Sequence, residues 1–358
     1  MSDAIELKGD IKVAFDHLAA YGAAAIGQAV TGKEVGFAWT PDLESRVRVL
    51  GLSLDELGNA VLEHAQRHSL PDSWVQICCE IPADWQANPG KKPKSASAGL
   101  FSPRVMALNQ EGARAWRERK YSVLDGTAEL DELDFDMIGS LGEPSYWSFS
   151  RERQSRPDYG ASRWEMKTRN RGEDFMANRL RLLAAAVAGM TETEVAGGLS
   201  GQLTLDIVGK ESADSRTPTG LKAPEKTDNT RAWCALWGIS QMSVTHQASG
   251  ASLTTAHFGS HLDGYFCLPV MTRPWTLGRL RTVLRSPQLV RVCAFGLPDQ
   301  SVPKALRPSS SDCLAAWDWL EARGAPAVVR FPVHRSNNPN APEKWAELGQ
   351  IIEPGELR

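Results

Sequence analysis

Basic side chains surround one tryptophan and one asparagine in the stretch GASRWEMKTRNRGEDF, residues 160–175. The basic residues of this stretch are Arg163, Lys167, Arg169 and Arg171. Arg and Lys neutralise phosphates without reading the base sequence. At base edges Arg pairs bidentately with guanine and Asn with adenine, so Arg169 and Asn170 are candidate readers. The pattern therefore predicts a nucleic-acid contact, with Arg163, Lys167 and Arg171 on phosphates.

The same stretch has a second interpretation that the sequence leaves open. In the nucleic-acid interpretation Trp164 stacks on an exposed base. In the structural one Trp164 belongs to the core, and the nearby arginines form ion pairs with Glu165, Glu173 and Asp174.

Two further basic segments could contact phosphates. Residues 273–291 (RPWTLGRLRTVLRSPQLVR) have the spacing of an amphipathic helix, with leucines on one face and arginines on another. The candidates there are Arg273, Arg279, Arg281 and Arg285. The second segment, NPGKKPKSASAG at 88–99, reads as a flexible loop that could become ordered on a nucleic acid. Its candidates are Lys91, Lys92 and Lys94.

Signatures of catalysis are weak. The sequence contains no phosphate-binding GxxxxGK[ST] motif, no GxGxxG, no GxSxG and no HExxH. The alternative to a binding protein is a metal-dependent hydrolase or nuclease that uses His257, His261 and Asp263, since histidines four residues apart could share a helix face. The acidic run ELDELDFD, 129–136, has the residue types of a two-metal site but the spacing of a solvated helix. We therefore predict no catalytic residue, no metal ligand and no cofactor.

Charge is distributed unevenly along the 358 residues, whose formal net charge is −3. Residues 1–150 carry 14 basic and 22 acidic side chains, a net charge of −8, whereas residues 151–358 carry 26 and 21, a net charge of +5. An asymmetry of this kind indicates a polyanionic partner on one side of the molecule, although folding could also scatter these charges over an ordinary surface.

Helical and strand patterns alternate without the regular spacing of βαβ units. Helices are predicted over 11–30, 53–69, 102–120, 172–190, 229–242 and 309–324, with short strands between them. This mixture indicates an α+β fold of helices and short antiparallel strands, in one large domain or two loosely divided ones. Residues 1–209 would form an acidic N-terminal α+β part, 230–358 a basic C-terminal α+β part, and 210–229 a linker or long loop.

The compartment is predicted from what the sequence lacks. The six cysteines are scattered, with no CxxC, which favours reduced thiols over a disulfide framework. The N-terminus MSDAIELKGD has no apolar segment after a basic start, and no apolar run approaches the roughly 18 residues of a membrane helix. We expect a cytoplasmic protein with no membrane partner.

Three segments resemble a known family. FDHLAAYGAAAIGQ at 15–28, TRAWCALWGISQM at 230–242 and TTAHFGSHLDGYFCLPVMTRPWTLGRLRTVLRS at 254–286 are similar to the large subunit of type I CRISPR surveillance complexes, in the short form of the subtype once called U and now G. The resemblance lies in apolar and aromatic patterns spread over most of the chain.

The resemblance implies a non-catalytic subunit of an antiviral ribonucleoprotein complex. It would lie at the 5′ end of the CRISPR RNA beside the backbone subunits. There it would recognise the motif that flanks the target (the PAM) in double-stranded DNA, support R-loop formation and recruit the helicase-nuclease. In such complexes the protein reads a few base pairs and guide pairing reads the rest. No site residue is transferred from the family, so the residues named above rest on local chemistry.

Overall fold

The computed structural model describes most of the chain. The described residues are 4–40, 46–86, 96–105, 108–126, 130–146, 148–149, 155–156, 160–164, 175–246, 252–259, 264–298, 307, 309–337 and 343–353. Their α-helices are α1 (Ala14–Thr31), α2 (Leu54–Ser69), α3 (Gln110–Gly126), α4 (Glu132–Leu141), α5 (Arg181–Ala188), α6 (Glu192–Ser200), α7 (Asn229–Trp237), α8 (Leu277–Leu284), α9 (Pro287–Ala294) and α10 (Ser310–Glu321).

The described strands are short and pair antiparallel. They are β1 (Ile5–Leu7), β2 (Gly36–Trp39), β3 (Val47–Leu50), β4 (Cys78–Ile81), β5 (Ala96–Gly99), β6 (Ser148–Phe149), β7 (Ser155–Arg156), β8 (Val244–His246), β9 (Ser252–Thr254), β10 (His257–Gly259), β11 (Gly264–Val270), β12 (Ala327–Arg335), β13 (Lys344–Ala346) and β14 (Gln350–Ile352). One sheet has the order β1-β3-β2, and a larger one has the order β10-β11-β12 with β13 and β14 both on β12. The predicted α+β fold class is confirmed.

Helices α1 and α7 pack backbone against backbone at the centre of the core. A Cβ atom on Gly22 would lie 1.8 Å from the carbonyl oxygen of Cys234, and one on Gly238 would lie 2.1 Å from the carbonyl oxygen of Leu18. No residue with a side chain fits at that separation, so both glycines are required by the close approach. The alanine-rich sequence of α1 serves the same packing, because small side chains let the helices approach.

Arg330 on β12 ties the larger sheet to the helix that covers it. Its side chain is buried, and its Nη1 donates hydrogen bonds to the carbonyl oxygens of Cys293 at 2.8 Å and Phe295 at 3.0 Å, at the end of α9. Its Nη2 donates to Oε1 of Gln350 on β14 at 2.6 Å. A buried guanidinium needs such partners, because leaving it unpaired would cost several kcal/mol.

Residues 202–228 connect α6 to α7 and contain turns but no described helix or strand. Their organising group is the buried carboxylate of Asp206, which accepts hydrogen bonds from the Thr217 hydroxyl at 2.6 Å, the Thr227 amide at 3.0 Å and the Asn229 side chain at 3.0 Å. Burial raises the pKa of Asp206, but the hydrogen bonds outweigh it and lower that pKa below its ordinary value. The segment is thus a packed loop, and the two-part division of the chain stays a prediction.

One predicted boundary is wrong. The helix predicted from residue 102 begins at Gln110, because Asn109 accepts a hydrogen bond from the Gly112 amide at 2.7 Å and caps it there. In the described part of the acidic run 129–136, Glu132 is exposed, but Asp134 is buried on α4 and accepts from Trp74 Nε1 at 3.0 Å. Among the described helices, none is both long and apolar enough to cross a membrane.

Candidate nucleic-acid interface

Many of the predicted site residues lie outside the described residues, so the structure neither joins nor separates them. These residues are Lys91, Lys92, Lys94, Lys167, Arg169, Asn170, Arg171, His261 and Asp263. Five predicted basic residues are described, and they are Arg163, Arg273, Arg279, Arg281 and Arg285. The geometry of the candidate site therefore depends on α8 and its neighbours.

Helix α8 forms where the sequence predicts a basic amphipathic helix. Its N-cap is Thr276, whose side chain accepts a hydrogen bond from the Arg279 amide. The leucines at 277, 280 and 284 are buried, as the spacing predicts. The buried leucines fix the orientation of α8, so Arg279 and Arg281 lie on two different faces of the helix.

Arg281 is paired with an acidic residue of the N-terminal half of the chain, and Arg285 contacts a hydroxyl group. Arg281 Nη1 forms an ion pair with Oδ2 of Asp136 on α4 at 2.5 Å, and Arg285 Nε donates to the Ser243 hydroxyl at 3.2 Å. Burial raises the pKa of the Asp136 carboxyl, and the positive charge of Arg281 opposes that rise. Because Asp136 compensates its charge, Arg281 has less charge to offer a phosphate, and its assignment as a phosphate contact stays a prediction.

The other face of α8 carries Arg279, which is exposed and makes no ion pair with any described residue. Arg279 and Thr282 form one wall of an open groove of about 460 Å³, and Arg323 at the end of α10 forms the other. We call this the arginine groove, and its lining is Gly278, Arg279, Thr282, Val283, Ala322 and Arg323. Its two charged lining residues are both arginines.

Arg323 has a fixed orientation in the arginine groove. Its guanidinium carbon lies 3.5 Å from the centre of the Trp319 ring, and its Nη1 donates to the Trp319 carbonyl oxygen at 3.0 Å. Stacking on an aromatic face restricts a guanidinium while leaving its remaining donors available for a ligand. Arg323 cannot be recognised as a site residue from the sequence, because it lies alone in the α10 pattern and reaches α8 only through the tertiary fold.

Arg273 lies next to Arg323 through Gly324. A Cβ atom on Gly324 would meet the Arg273 side chain at 3.6 Å, and the Trp275 indole nitrogen donates to the Arg323 carbonyl oxygen at 2.9 Å. Gly324 has a φ of 88°, which a residue with a side chain adopts only with strain. Of the predicted basic residues, Arg279 thus lines the arginine groove, and Arg273 lies beside Gly324, the residue that follows Arg323.

Arg163 and Arg285 both lie beside the β8–β9 hairpin. The Arg163 amide donates to the Thr254 hydroxyl at 3.0 Å, and the hydroxyls of Ser243 and Thr255 are hydrogen-bonded to each other at 3.0 Å. Arg285 donates to Ser243, as described above, so its side chain contacts a hydroxyl just before β8, whereas Arg163 contacts the end of β9 through its backbone amide. Neither arginine lines the arginine groove.

Trp164 belongs to the core rather than to a base-stacking surface. It is fully buried and stacks on Phe266, with ring centres 3.9 Å apart and an angle of 28° between the rings. Its indole nitrogen donates to the Thr255 carbonyl oxygen at 3.1 Å. Of the two interpretations of the stretch at 160–175, the structural one is therefore correct for this residue.

The alternative metal site at His257, His261 and Asp263 required a helix at His257, and the structure has a strand there. His257 lies in strand β10, opposite Phe266 of β11, with ring centres 5.1 Å apart, so it does not share a helix face with any residue. Within the described part of the chain, no three His, Cys, Asp or Glu side chains are grouped as metal ligands.

No model of a known protein family matches the chain, and no curated protein matches it.

Proposed function

We propose that the chain is a non-catalytic, nucleic-acid-binding subunit of a CRISPR RNA-guided effector complex. In this role it would recognise the PAM in duplex DNA, support R-loop formation and help to recruit the helicase-nuclease. The observation that carries the nucleic-acid part is the arginine groove, whose charged lining residues are arginines alone. The family part is supported by the resemblance of residues 15–28, 230–242 and 254–286.

Arginines suit this role for a physical reason. A guanidinium keeps its charge and presents a planar set of donors that matches a phosphate or the edge of a guanine. Arg323 is already held against Trp319, so little side-chain freedom is lost when it binds. Arg279 is exposed on the opposite wall and could adjust to the path of a backbone.

A tagged pull-down from the native host, with sequencing of the bound RNA, tests the proposal. We expect short RNAs of uniform length with repeat-derived ends, together with a few partner proteins. The captured complex is then titrated with duplex DNA at several salt concentrations. A chain that copurifies with no RNA would contradict the assignment to an effector complex.

Arg279→Ala combined with Arg323→Ala tests the groove within the same complex. Removing the partner of one phosphate should lower the slope of log K against log salt by about 0.9, so removing two partners should lower it by about 1.8. Arg114→Ala is the matched control, because Arg114 is an exposed helical arginine on α3 without a described ion pair. An equal effect of both variants would show that the groove has no special role.

A further inference from the structure

A cleft on a different part of the molecule collects lysines that are distant in sequence. Five segments line it: the connection between β1 and α1, the start of α1, the loop before α7, the start of α7, and β13 with the turn that follows it. Its volume is about 490 Å³, within the range of roughly 300–1,000 Å³ that small-molecule sites occupy. We call it the lysine cleft, and its basic lining residues are Lys8, Lys12, Lys222, Lys226 and Arg231.

Most of these cations already have acidic partners. Arg231 forms an ion pair with Asp16 at 2.5 Å at the floor of the cleft, where both side chains are almost completely buried. Lys222 is paired with Glu225 at 2.5 Å. Because the charges in these two ion pairs compensate each other, little net charge is left to attract a ligand. The pairs therefore mainly stabilise the fold.

Lys226 is paired as well, with Glu211. The other two acidic lining residues are also engaged. Asp228 caps α7 and accepts from the amides of Leu205 and Arg231, each at 3.0 Å. Glu347 lies 3.2 Å from the ring of His334.

Lys8 and Lys12 are the lysines of the cleft that no described carboxylate neutralises. Both are exposed, and both have anchored backbones. The Lys8 carbonyl oxygen accepts from Arg231 Nη2 at 3.3 Å, and the Lys12 carbonyl oxygen accepts from the Gly349 amide at 2.8 Å. Two ammonium groups on a fixed backbone beside a concave surface favour an anion with more than one negative charge, such as a phosphate monoester.

Two large apolar side chains line the cleft beside Glu347, on the wall formed by β13 and the turn that follows it. They are Trp345, whose ring stacks on His334 with centres 3.9 Å apart, and Leu348, which is 72% exposed. Leu203 adds a second exposed apolar side chain from the loop before α7. Large exposed apolar side chains at the mouth of a cleft indicate a ligand with an apolar or planar part.

Backbone strain is concentrated in the loop before α7, at residues that do not themselves line the cleft. Lys210, Glu211 and Thr219 have φ values between 54° and 57°, and they account for three of the four described non-glycine residues with a left-handed φ. Thr219 is β-branched and precedes Gly220, whose carbonyl oxygen accepts from the Ala346 amide at 2.8 Å. Strain of this kind persists where the surrounding structure fixes it, and it is common at ligand sites.

We propose that the lysine cleft binds a nucleotide. Its phosphate would lie against Lys8 and Lys12, and its base would lie against the wall of Trp345 and Leu348. The shared chemistry is a phosphate monoester joined to a planar ring, and its source is either a free nucleotide or the phosphorylated end of a strand. The proposal does not rest on the effector-complex assignment, because no residue of the arginine groove lines this cleft.

Calorimetric titration of the purified full-length chain with AMP, GMP, CMP and UMP tests the proposal. A 5′-phosphorylated single-stranded hexanucleotide is a separate arm, which distinguishes a strand end from a free nucleotide. We expect at least one of these ligands to bind, and the matching nucleoside and inorganic phosphate to bind at least tenfold more weakly. Binding of neither nucleotides nor the hexanucleotide would overturn the proposal, as would equal binding of nucleotide and nucleoside.

Lys8→Ala combined with Lys12→Ala should weaken the binding at least tenfold. The two side chains are exposed, so the thermal unfolding midpoint of this variant should stay close to that of the unaltered chain. Lys33→Ala is the control for loss of a surface lysine, because Lys33 is exposed and pairs with Glu56 at 2.6 Å outside the cleft. Trp345→Leu should weaken binding of the nucleotide without changing binding of inorganic phosphate. Unchanged affinity in the double variant would overturn the proposal.

Discussion

The lysine cleft and the arginine groove have similar volumes, about 490 and 460 Å³, but opposite arrangements of charge. The groove lining holds arginines and no acid, whereas the cleft lining mixes five basic residues with four acidic ones. A lining of one sign attracts any polyanion. A lining in which most charges are paired leaves a few cations at defined positions, and such a site can select a ligand by shape. The arginine groove is therefore suited to the backbone of a nucleic acid, and the lysine cleft is suited to a single small ligand.

Among the variants considered, Arg231→Ala should cause the largest loss of unfolding free energy. Arg231 is a lining residue of the lysine cleft. The variant leaves Asp16 buried without its cation, and removing one partner of a buried ion pair costs about 3–5 kcal/mol of unfolding free energy. Burial already raises the pKa of Asp16, which shows how unfavourable its charge is there. Urea unfolding at neutral pH measures the change. Nucleotide binding should also be lost, because Arg231 supports the backbone of Lys8.

Asp16→Asn combined with Arg231→Met provides the control for that variant. Replacing both partners by neutral side chains of similar size removes the unpaired charge, so the double variant should be more stable than Arg231→Ala. A loss below about 1 kcal/mol in the single variant would show that the pair contributes no more than a surface pair does.

Acid should weaken the same region through His17 on α1. Burial lowers the pKa of His17 from 6.5 to about 4, and a hydrogen bond between its Nε2 and the Ile11 carbonyl oxygen, at 2.8 Å, opposes that shift. Between those two pH values the unfolded chain binds a proton that the native chain does not. Stability is therefore fully present above pH 6.5 and declines by about 3 kcal/mol as the pH falls to 4.

His17→Gln should flatten this pH dependence by about 1.4 kcal/mol per pH unit between pH 6.5 and 4. Urea unfolding at several pH values measures it. The difference between the two proteins above pH 6.5 reports the change in packing alone and serves as the internal control. Parallel stability curves for the variant and the unaltered chain would contradict a buried neutral histidine.

The comparison also shows which site a sequence can reveal. The leucine spacing in 273–291 predicts α8 and its basic character, because both depend on neighbours within two turns. Arg323 joins that groove from a separate helix. The lysines of the cleft come from positions 8, 12, 222 and 226, and no local density marks them. Local periodicity therefore predicts elements, while sites built from distant segments need the tertiary fold.

The uneven distribution of charge along the sequence also does not locate a binding site by itself. Residues 1–150 have more acidic than basic side chains, and residues 151–358 have more basic than acidic ones. Part of it is compensated inside the molecule, since Asp16 pairs with Arg231 and Asp136 with Arg281. Net charge by segment cannot distinguish such internal pairs from a surface that faces a partner. The acidic run at 129–136 shows this clearly, because its Asp134 is buried and its Asp136 is paired.

Arg281→Ala should have the smallest effect, and it separates the two faces of α8. The Arg281 and Asp136 side chains remain 24% and 32% exposed, so water screens their attraction and the loss of unfolding free energy should stay below about 1 kcal/mol. Because its charge is compensated, the variant should change the salt dependence of duplex binding little. Arg279→Ala, in contrast, should lower the slope by about 0.9.

Both variants can be measured side by side in the captured complex, with urea unfolding of the purified chains as the check on folding. An equal decrease of the slope for Arg279→Ala and Arg281→Ala would mean that Asp136 releases Arg281 when nucleic acid binds, and that α8 presents both faces to its ligand. A decrease confined to Arg279→Ala would show that an existing ion pair keeps an arginine out of the interface. The same rule would then apply to the groove and to the cleft: the basic side chains without a carboxylate partner are the ones that bind phosphate.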